Sequence, residues 1–265
     1  MLNNFIATLR KLFSISHKSV QFCPICKLDV ESFTELPEQY RGKVIIKGKE
    51  YLAYKEAEML NYDEYSCPHC AASDRERFYA LYVQNFLINE HKVENIRMVH
   101  FAPEASLRNF LKKYPFKEYR TADLMMEGVD DKADLTDLNF YKDNYFDFFI
   151  CSHMLEHIPD DIKAMQELYR ILKPGGKGIL VVPILQGLDE IYEDSSIVTE
   201  EDRLLHFWQE DHVRMYNKQG YIERLGNAGF SIEEYGINNF SKNIFAQVAI
   251  TNRSVLYIVE KVNHD

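Results

Sequence analysis

The sequence lacks any apolar run long enough to span a bilayer. Its longest apolar stretches, such as residues 179–185, are far shorter than the roughly 20 residues that a spanning helix requires. Nothing near the start combines a long apolar run with a small-residue cleavage site, which argues against a secretory signal. Five cysteines among 265 residues are too few for a disulfide scaffold. These absences predict a globular, cytoplasmic protein.

An excess of positive charge is also missing. The chain has 41 acidic and 31 basic residues and a formal net charge of -10, so its surface should repel phosphate backbones. A large nucleic-acid substrate is therefore disfavoured, whereas a small-molecule partner is compatible with this charge.

Residues 1–22 are a local exception to the acidic composition. They contain three basic residues, no acidic residue and apolar residues at roughly helical spacing: Arg10, Lys11 and Lys18, with Phe5, Ile6, Leu9, Leu12 and Phe13. The pattern predicts an amphipathic segment that could touch a membrane or a partner weakly. A helix packed on its own domain, or a frayed tail, is the favoured alternative, because one short basic helix has only marginal membrane affinity.

Four of the cysteines form two close pairs. Cys23 and Cys26 are followed, after forty intervening residues, by Cys67 and Cys70. Two residues between paired cysteines let both sulfurs reach one tetrahedral Zn²⁺, and four thiolates leave no open position, which favours a structural ion. Buried or disulfide-linked cysteines are the alternative, which a reducing cytoplasm disfavours. We expect His69, inside the second pair, to be solvated.

The segment around these pairs resembles a small zinc-ribbon-like module over residues 23–72. Between the pairs, residues 44–46 and 51–54 flank Lys47-Gly48-Lys49 and predict a β-hairpin. A capping box at residues 73–76 then opens a linking helix, assigned to residues 73–94. Its apolar residues fall on one helical face: Phe78, Leu81, Tyr82, Phe86 and Leu87.

From about residue 95 to residue 265, short apolar strands alternate with helices, which predicts an α/β domain. Such alternation is typical of a parallel sheet covered on both faces. The predicted strands are residues 96–102, 119–122, 146–151 and 178–183, and the predicted helices are residues 106–113 and 160–172. Residues 230–232 and 255–262 predict an antiparallel strand pair at the end of the sheet, without a clear helix between them.

Two runs carry a family resemblance. The sequence YFDFFICSHMLEHIP at residues 145–159, followed by LYRILKPGG at residues 168–176, resembles the central segment of class I SAM-dependent methyltransferases of the methyltransferase type 11 group. The spacing of the flanking elements agrees over residues 95–262. The resemblance implies a Rossmann-like sheet and S-adenosyl-L-methionine (SAM) as the cofactor.

The resemblance implies that the first strand and its turn line the methionine part of SAM. The residues concerned are His100, Phe101, Ala102, Pro103 and Glu104. Related folds use a Gly-rich turn here, because the backbone must approach the ligand closely. Its replacement by Ala102, Pro103 and Glu104 leaves open the alternative of an ordinary turn beside a degenerate pocket.

Two aspartates and a leucine are the expected nucleoside contacts. Asp123 follows the second strand, where a carboxylate accepts hydrogen bonds from both ribose hydroxyls. By resemblance, Asp134 receives the adenine amino group, and Leu135 offers its backbone N–H to the ring. Either aspartate alone could instead be a helix cap or a solvated loop residue.

The expected active rim follows the fourth strand. Ser152 is assigned to the cofactor, and His153, Glu156 and His157 to catalysis, because open α/β folds bind ligands at the carboxyl ends of their strands. A histidine suits the general base, with Glu156 orienting it or binding the acceptor. Alternatively, Glu156 and His157 merely cap the following loop.

Two further features of the rim are expected to be secondary. Cys151, the unpaired cysteine, is expected to be a small buried hydrophobe. A possible lid over the acceptor comprises Trp208, His212, Arg214 and Tyr216, although a plain helix start explains that segment equally well.

Three functions follow from this sequence. The favoured one is methyl transfer to a small-molecule or saccharide-type acceptor. The second is an RNA methyltransferase that uses the zinc module to hold its substrate, which would require a basic stripe that residues 23–70 do not offer. The third is a non-catalytic SAM-fold scaffold.

Overall fold

The computed structural model describes residues 20–88 and 92–262, so the expected amphipathic segment lies outside the described residues except for its last three. The first strands of the described part are β1 (Gln21–Phe22) and β2 (Asp29–Val30), which pair antiparallel on either side of the first cysteine turn. No helix among the described residues is long and apolar enough to cross a membrane.

The predicted hairpin is present, but its second strand begins earlier than expected. Strand β3 (Val44–Ile46) pairs antiparallel with β4 (Lys49–Tyr51). Lys47 and Gly48 both have positive φ, 51° and 80°, as a two-residue turn between twisted strands requires. The tight turn starts the return strand at Lys49, and residues predicted as strand instead form the short helix α1 (Ala53–Glu56).

The helix after the second cysteine pair is buried on almost every side. Helix α2 (Asp74–Tyr82) begins at the predicted capping box, where the Ser73 hydroxyl accepts from the Glu76 N–H and the Ser73 N–H donates to the Glu76 carboxylate. A π-helical turn (Val83–Ile88) follows. One hydrophobic cluster contains Cys23 and Phe33 of the module, Phe78 of α2 and Met98 of the sheet. The helix is therefore a shared core element rather than an exposed linker.

A seven-stranded mixed sheet dominates the rest of the chain. Its strands are β5 (Arg97–Phe101), β6 (Glu118–Asp123), β7 (Asp131–Lys132), β8 (Phe146–Ser152), β9 (Leu172–Val181), β12 (Ser231–Tyr235) and β13 (Leu256–Glu260). Their order across the sheet is β12-β13-β9-β8-β5-β6-β7. Strands β5 to β9 are parallel, whereas β13 pairs antiparallel with both β9 and β12.

The strand order creates a crevice between β5 and β8. The chain leaves β5 toward β6 and β7 on one side and returns to β8 and β9 on the other, which defines a topological switch point. The predicted Rossmann-like architecture and the antiparallel pair at the end of the sheet are both confirmed. Ligands of open α/β sheets bind outside the carboxyl ends of the strands at such a point.

Helices cover both faces of the sheet. They are α3 (Ala105–Leu111), α4 (Asp161–Ile171), α5 (Glu200–Phe207), α6 (Lys218–Asn227) and α7 (Lys242–Gln247). Alternate residues of β8 enter opposite cores: Phe148 and Ile150 pack in the cluster with α3, and Phe149 and Cys151 pack in the cluster with α4 and α6. Cys151 is buried, as expected.

Two local details differ from the sequence expectations. Strand β9 begins directly after α4 and runs through residues 173–176, which the sequence assigned to a helix stop ahead of the strand. Helix α7 was not predicted because its segment is short and polar. It forms because the Ser241 hydroxyl accepts from the Ile244 N–H and because Phe245 is buried in the core.

The segment after β9 covers the carboxyl edge of the sheet. Strand β10 (Tyr192–Glu193) pairs antiparallel with β11 (Arg214–Met215), and α5 lies between them in sequence. The hairpin β3–β4 packs on this segment through a cluster that contains Val44, Ile46, Phe207 and Met215. The N-terminal module and the covering segment therefore enclose the same edge of the sheet.

Candidate functional site

The turn after β5 adopts a conformation usually reserved for glycine. Ala102 has φ 43°, in the left-handed region, and its N–H donates to the Ala122 carbonyl at 2.9 Å. A left-handed conformation costs a residue with a Cβ about 1–2 kcal/mol. The sharp backbone turn is thus present without the glycine, and only the methyl group of Ala102 is added to the space beside it.

The side chains of His100 and Phe101 are buried in β5, and their assignment to the cofactor stays a prediction. Both side chains are 0% exposed, so neither presents itself to a ligand. The His100 ring lies 3.0 Å from the Tyr119 hydroxyl through Nδ1 and 3.1 Å from Glu104 Oε2 through Nε2. These side chains occupy a buried strand, and His100 holds Glu104 rather than facing the crevice.

Glu104 lies between His100 and Arg75, a residue that the sequence analysis did not single out. Arg75 Nε is 3.8 Å from Glu104 Oε1. Burial acts to raise the pKa of Glu104, but the hydrogen bond and charge of His100, with Arg75, lower it below its usual value. The Glu104 carboxylate is therefore charged beside the turn. The capping-box motif that contains Arg75 was the only signal in the sequence.

Asp123 and Asp134 lie at the same edge of the sheet. Asp123 ends β6, and its Oδ1 accepts from the N–H groups of Met125 and Met126 at 2.7 and 2.6 Å. The Ala133 N–H donates to the Asp123 carbonyl, which brings the two loops together. Asp134 is exposed and caps its own turn by accepting from Thr136, while the Leu135 side chain is buried. Their nucleoside roles remain predictions.

Ser152, at the end of β8, has a partner that the sequence did not suggest. Its hydroxyl lies 2.7 Å from the Tyr79 hydroxyl of α2, and both side chains are buried. The helix next to the cysteine module thus contacts the carboxyl end of the central strand directly. Any contact of Ser152 with a cofactor would compete with this hydrogen bond or use the Ser152 backbone.

His153 follows β8 and is the second non-glycine residue of the rim in the left-handed region, with φ 52°. Its N–H donates to the Val181 carbonyl at 2.8 Å, so the strained backbone is fixed to β9. Burial, followed by the positive charge of Arg75, lowers the pKa of His153. The ring is therefore neutral at pH 7 and able to accept a proton. Strained residues of this kind cluster at functional sites.

Glu156 is 0% exposed, and neither of its carboxylate oxygens makes a hydrogen bond within the described residues. Its Oε1 lies 3.3 Å from His153 Nδ1. Its backbone carbonyl accepts from the Val213 N–H at 2.9 Å, which fixes the loop of His212 beside it. The structure thus brings the predicted residues His153, Glu156 and His157 together, and it adds His212.

Arg214 holds the loop that follows β8 in place. Its guanidinium is buried and donates to the carbonyls of Leu155, Ile158 and Pro159, so it holds the segment that carries Glu156 and His157. The expected alternative of a helix start is wrong for this segment, because Arg214 lies in β11. The next helix begins only at Lys218, with Asn217 as its cap.

A cavity of about 400 Å³ opens beside His153. Leu36, Tyr40, Met59, Leu60 and Tyr65 come from the N-terminal module, and Val182, Pro183, Ile184, Trp208 and Gln209 come from β9 and the covering segment. Arg75 contributes the charged group. Of the expected lid residues, Trp208 lines this cavity, whereas Arg214 and Tyr216 are buried behind it.

The four cysteines of the module form one cluster. Their sulfurs lie within 4.8 Å of one another, with Cys23 and Cys70 3.7 Å apart and Cys26 and Cys67 3.8 Å apart. A tetrahedron with Zn–S bonds of about 2.3 Å has edges of about 3.8 Å, so the donor set fits zinc. Burial raises the pKa of the Cys23 thiol to about 11, and a bound cation would supply the charge that stabilises thiolates. His69 is exposed and outside the cluster.

Comparisons with known proteins find similarity in the central segment of the chain. Residues 108–180 match the family model described as methyltransferase domain. A ubiquinone/menaquinone biosynthesis C-methyltransferase of Francisella tularensis is 28% identical over 107 residues, which cover 36% of this chain and 43% of that protein. Its counterpart in Pasteurella multocida is 30% identical over 118 residues, or 40% of this chain and 43% of that protein.

The chain therefore spans less than half the length of these curated relatives. Among solved structures, a SAM-dependent methyltransferase from Archaeoglobus fulgidus is 12% identical and has a TM-score of 0.44, with 70% of this chain and 94% of that chain covered. The resemblance to the methyltransferase type 11 group is confirmed over residues 108–180, which match that family model.

Proposed function

We propose that this protein is a SAM-dependent methyltransferase that acts on a small-molecule or saccharide-type acceptor bound in the cavity beside His153. The observation that carries the proposal is the left-handed turn at Ala102, which ends β5 at the switch point, next to Asp123 at the end of β6. Asp123 lies within the segment 108–180 that matches the methyltransferase model. SAM, when bound, supplies an electrophilic methyl group on a sulfonium. The residues of the chain must therefore bind the cofactor, orient the acceptor and remove its proton.

The cofactor contacts proposed for this edge follow the order of the strands. The backbone of Ala102 and the Glu104 carboxylate would hold the methionine part, with the Glu104 negative charge suited to an ammonium group. Asp123 would accept hydrogen bonds from the ribose hydroxyls in place of the one it now accepts from the N–H of Met125 or Met126. Asp134 and the backbone of Leu135 would contact adenine.

The acceptor would enter between the module and the sheet. Tyr40, Tyr65 and Trp208 give the cavity flat aromatic walls, which suit the apolar face of a sugar ring or of an aromatic acceptor. His153 is neutral, half-buried and on the cavity wall, so it is placed to take a proton from an acceptor hydroxyl. The curated relatives are named as C-methyltransferases of quinone biosynthesis, which is compatible with an aromatic acceptor.

We further propose that the cysteine cluster binds one structural Zn²⁺. The module over residues 23–72 would then use zinc to fix the cavity wall that includes Tyr40 and Tyr65. This gives the module a role in acceptor selection without an RNA substrate, in accord with the acidic composition of the chain.

Calorimetric titration of the purified full chain with SAM and with its demethylated product tests the proposal. We expect saturable binding of both, and Asp123→Ala should weaken it about 10- to 100-fold, because it removes hydrogen bonds to a charged group. Glu127→Ala is the matched control, since Glu127 is an exposed carboxylate on the same loop. Unchanged affinity in Asp123→Ala would contradict the ribose assignment, and no binding to the folded wild type would contradict the cofactor.

A further inference from the structure

A second group of side chains with metal-binding atoms lies next to the proposed acceptor cavity. One donor atom each from Glu156, His157 and His212 lies within 4.8 Å of the other two. Glu156 and His212 are buried, and three of their polar atoms, both Glu156 oxygens and His212 Nε2, make no hydrogen bond within residues 20–88 and 92–262. Buried polar atoms without partners are rare in folded proteins because desolvation costs free energy. The atoms point to a ligand.

Both histidines are held by a partner on one ring nitrogen, which leaves the other nitrogen for a ligand. His212 Nδ1 lies 2.9 Å from the Phe207 carbonyl, which can only accept, so Nδ1 carries the proton and Nε2 presents a lone pair. His157 Nδ1 lies 3.0 Å from Asp211 Oδ2. Histidines that bind metals typically donate their second N–H to a carbonyl or a carboxylate in this way.

We propose that Glu156, His157 and His212 bind a divalent transition-metal ion such as Mn²⁺, Fe²⁺ or Zn²⁺. Two histidines and one carboxylate are a recurrent ligand set for these ions. Donors on an ion with bonds of about 2.1 Å lie no more than about 4.2 Å apart, so a contraction of roughly half an ångström completes the site. The ion also offsets the negative charge of the buried Glu156 carboxylate, whose oxygens make no hydrogen bond among the described residues.

Three protein ligands leave coordination positions open. The site borders the cavity through His153, which lies 3.3 Å from Glu156 and lines the cavity wall. Insofar as the proposed methyl transfer is correct, an acceptor oxygen could occupy an open position, where the ion would lower the pKa of a hydroxyl and orient it. The acceptor class favoured by this site is an oxygen-bearing molecule such as a sugar or a catechol-like diol.

The test is titration of the full chain with Mn²⁺, followed by electron paramagnetic resonance of free Mn²⁺. The chain is first loaded with one equivalent of Zn²⁺, which the four thiolates of the cysteine cluster take up in preference to a histidine and carboxylate site. Thiolate sites disfavour Mn²⁺, so the cysteine cluster does not contribute to the signal. We expect one saturable Mn²⁺ per chain in the wild type. Glu156→Gln and His157→Ala should each weaken binding at least 10-fold, and Asp211→Asn should weaken it about 10- to 100-fold by loss of the outer partner.

His206→Ala is the matched control, because His206 also contacts a backbone carbonyl through Nδ1 but lies outside the cluster. Its Mn²⁺ affinity should equal that of the wild type. His157 is half-buried, so His157→Ala remains informative if Glu156→Gln folds poorly. Absence of saturable binding to the folded wild type, or equal affinity in all the variants, would overturn the site.

Calorimetry with SAM on the same preparations separates this proposal from the cofactor assignment. SAM binding without Mn²⁺ binding would refute only the metal site. Mn²⁺ binding that depends on Glu156, in a chain that does not bind SAM, would retain the metal site and refute the proposed methyl transfer.

Discussion

Two buried regions differ in the hydrogen bonding of their polar groups. One is the junction around Arg77, where the cysteine module meets α2, and the other is the rim around Glu156, at the carboxyl edge of the sheet. At the junction, all five guanidinium N–H groups of Arg77 donate to backbone carbonyls, those of Glu64, Tyr65, Ala72, Val248 and Ala249. At the rim, Arg75 Nε, both Glu156 oxygens and His212 Nε2 make no hydrogen bond among the described residues. Both regions are buried, so exposure does not explain the difference.

The contrast separates a region built for stability from one built for binding. The junction joins the cysteine module, α2 and the segment after α7, and the guanidinium of Arg77 at its centre has a carbonyl partner for every N–H. The rim keeps unpartnered polar atoms near the ends of the adjacent strands β5 and β8. Left-handed non-glycine residues occur in both regions, Ala102 and His153 at the rim and Ala71 and Ala249 at the junction. Only the polar atoms therefore mark the difference. Local rules are violated mostly where function demands it. Substitutions at the junction should thus lower stability, and substitutions at the rim should mainly alter binding.

The largest effect on the junction is expected from Cys67→Ser. Binding of structural zinc is worth about 10 kcal/mol or more and is gained only on folding, so loss of one ligand should remove several kcal/mol of stability. Thermal unfolding together with zinc analysis measures this. His69→Ala, an exposed change in the same turn, should leave both unchanged, and a Cys67→Ser protein with wild-type stability would contradict a structural ion.

Arg77→Met should lower the free energy of unfolding by about 3–5 kcal/mol, because it leaves five buried carbonyls without their donor. Urea unfolding measures the change. Arg253→Met is the comparison. Arg253 is less buried and, among the residues that the structure describes, donates to two carbonyls, those of Lys55 and Leu60, so its loss should lower the free energy of unfolding clearly less. Equal losses of unfolding free energy in the two variants would contradict a special contribution of the junction to stability.

The smallest effect on stability is expected at the rim, for Ala102→Gly. Relief of the left-handed strain offsets the greater backbone entropy of glycine, so stability should change by less than about 1 kcal/mol. SAM affinity should be retained or improved, whereas Ala102→Val should lose stability by about 1–3 kcal/mol because a β-branched residue tolerates this conformation poorly. Weaker SAM binding in Ala102→Gly than in the wild type would show that the methyl group itself contacts the cofactor.

Patterns local in sequence predicted most of the fold and the cysteine cluster. Alternating strands and helices identified the sheet, and two pairs of close cysteines suffice to place four sulfurs together because each pair lies in one tight turn. The position of His212 beside Glu156 could not be predicted in this way. It depends on the hydrogen bond from the Val213 N–H to the Glu156 carbonyl and on the Arg214 guanidinium, and both residues are more than fifty positions from Glu156 in sequence.

The burial and contacts of individual residues near the site could not be predicted from the sequence. His100 belongs to the motif that the resemblance assigned to the cofactor, yet the sheet buries it completely. Tyr79 and Arg75 belong to a segment interpreted as a linker, yet they contact Ser152 and Glu104. The apolar residues of α2 predicted one buried face, but its polar residues Asp74, Glu76 and Arg77 are buried as well, which the periodicity of apolar residues does not show.

The most direct test of the proposed function is a crystal structure of the zinc-loaded chain with the demethylated product of SAM. We predict that the ribose hydroxyls lie within hydrogen-bond distance of Asp123 and that the sulfur points toward His153 and the aromatic cavity. Product bound away from Ala102 and Asp123, or with its sulfur directed away from the cavity, would contradict a methyltransferase site at this edge of the sheet.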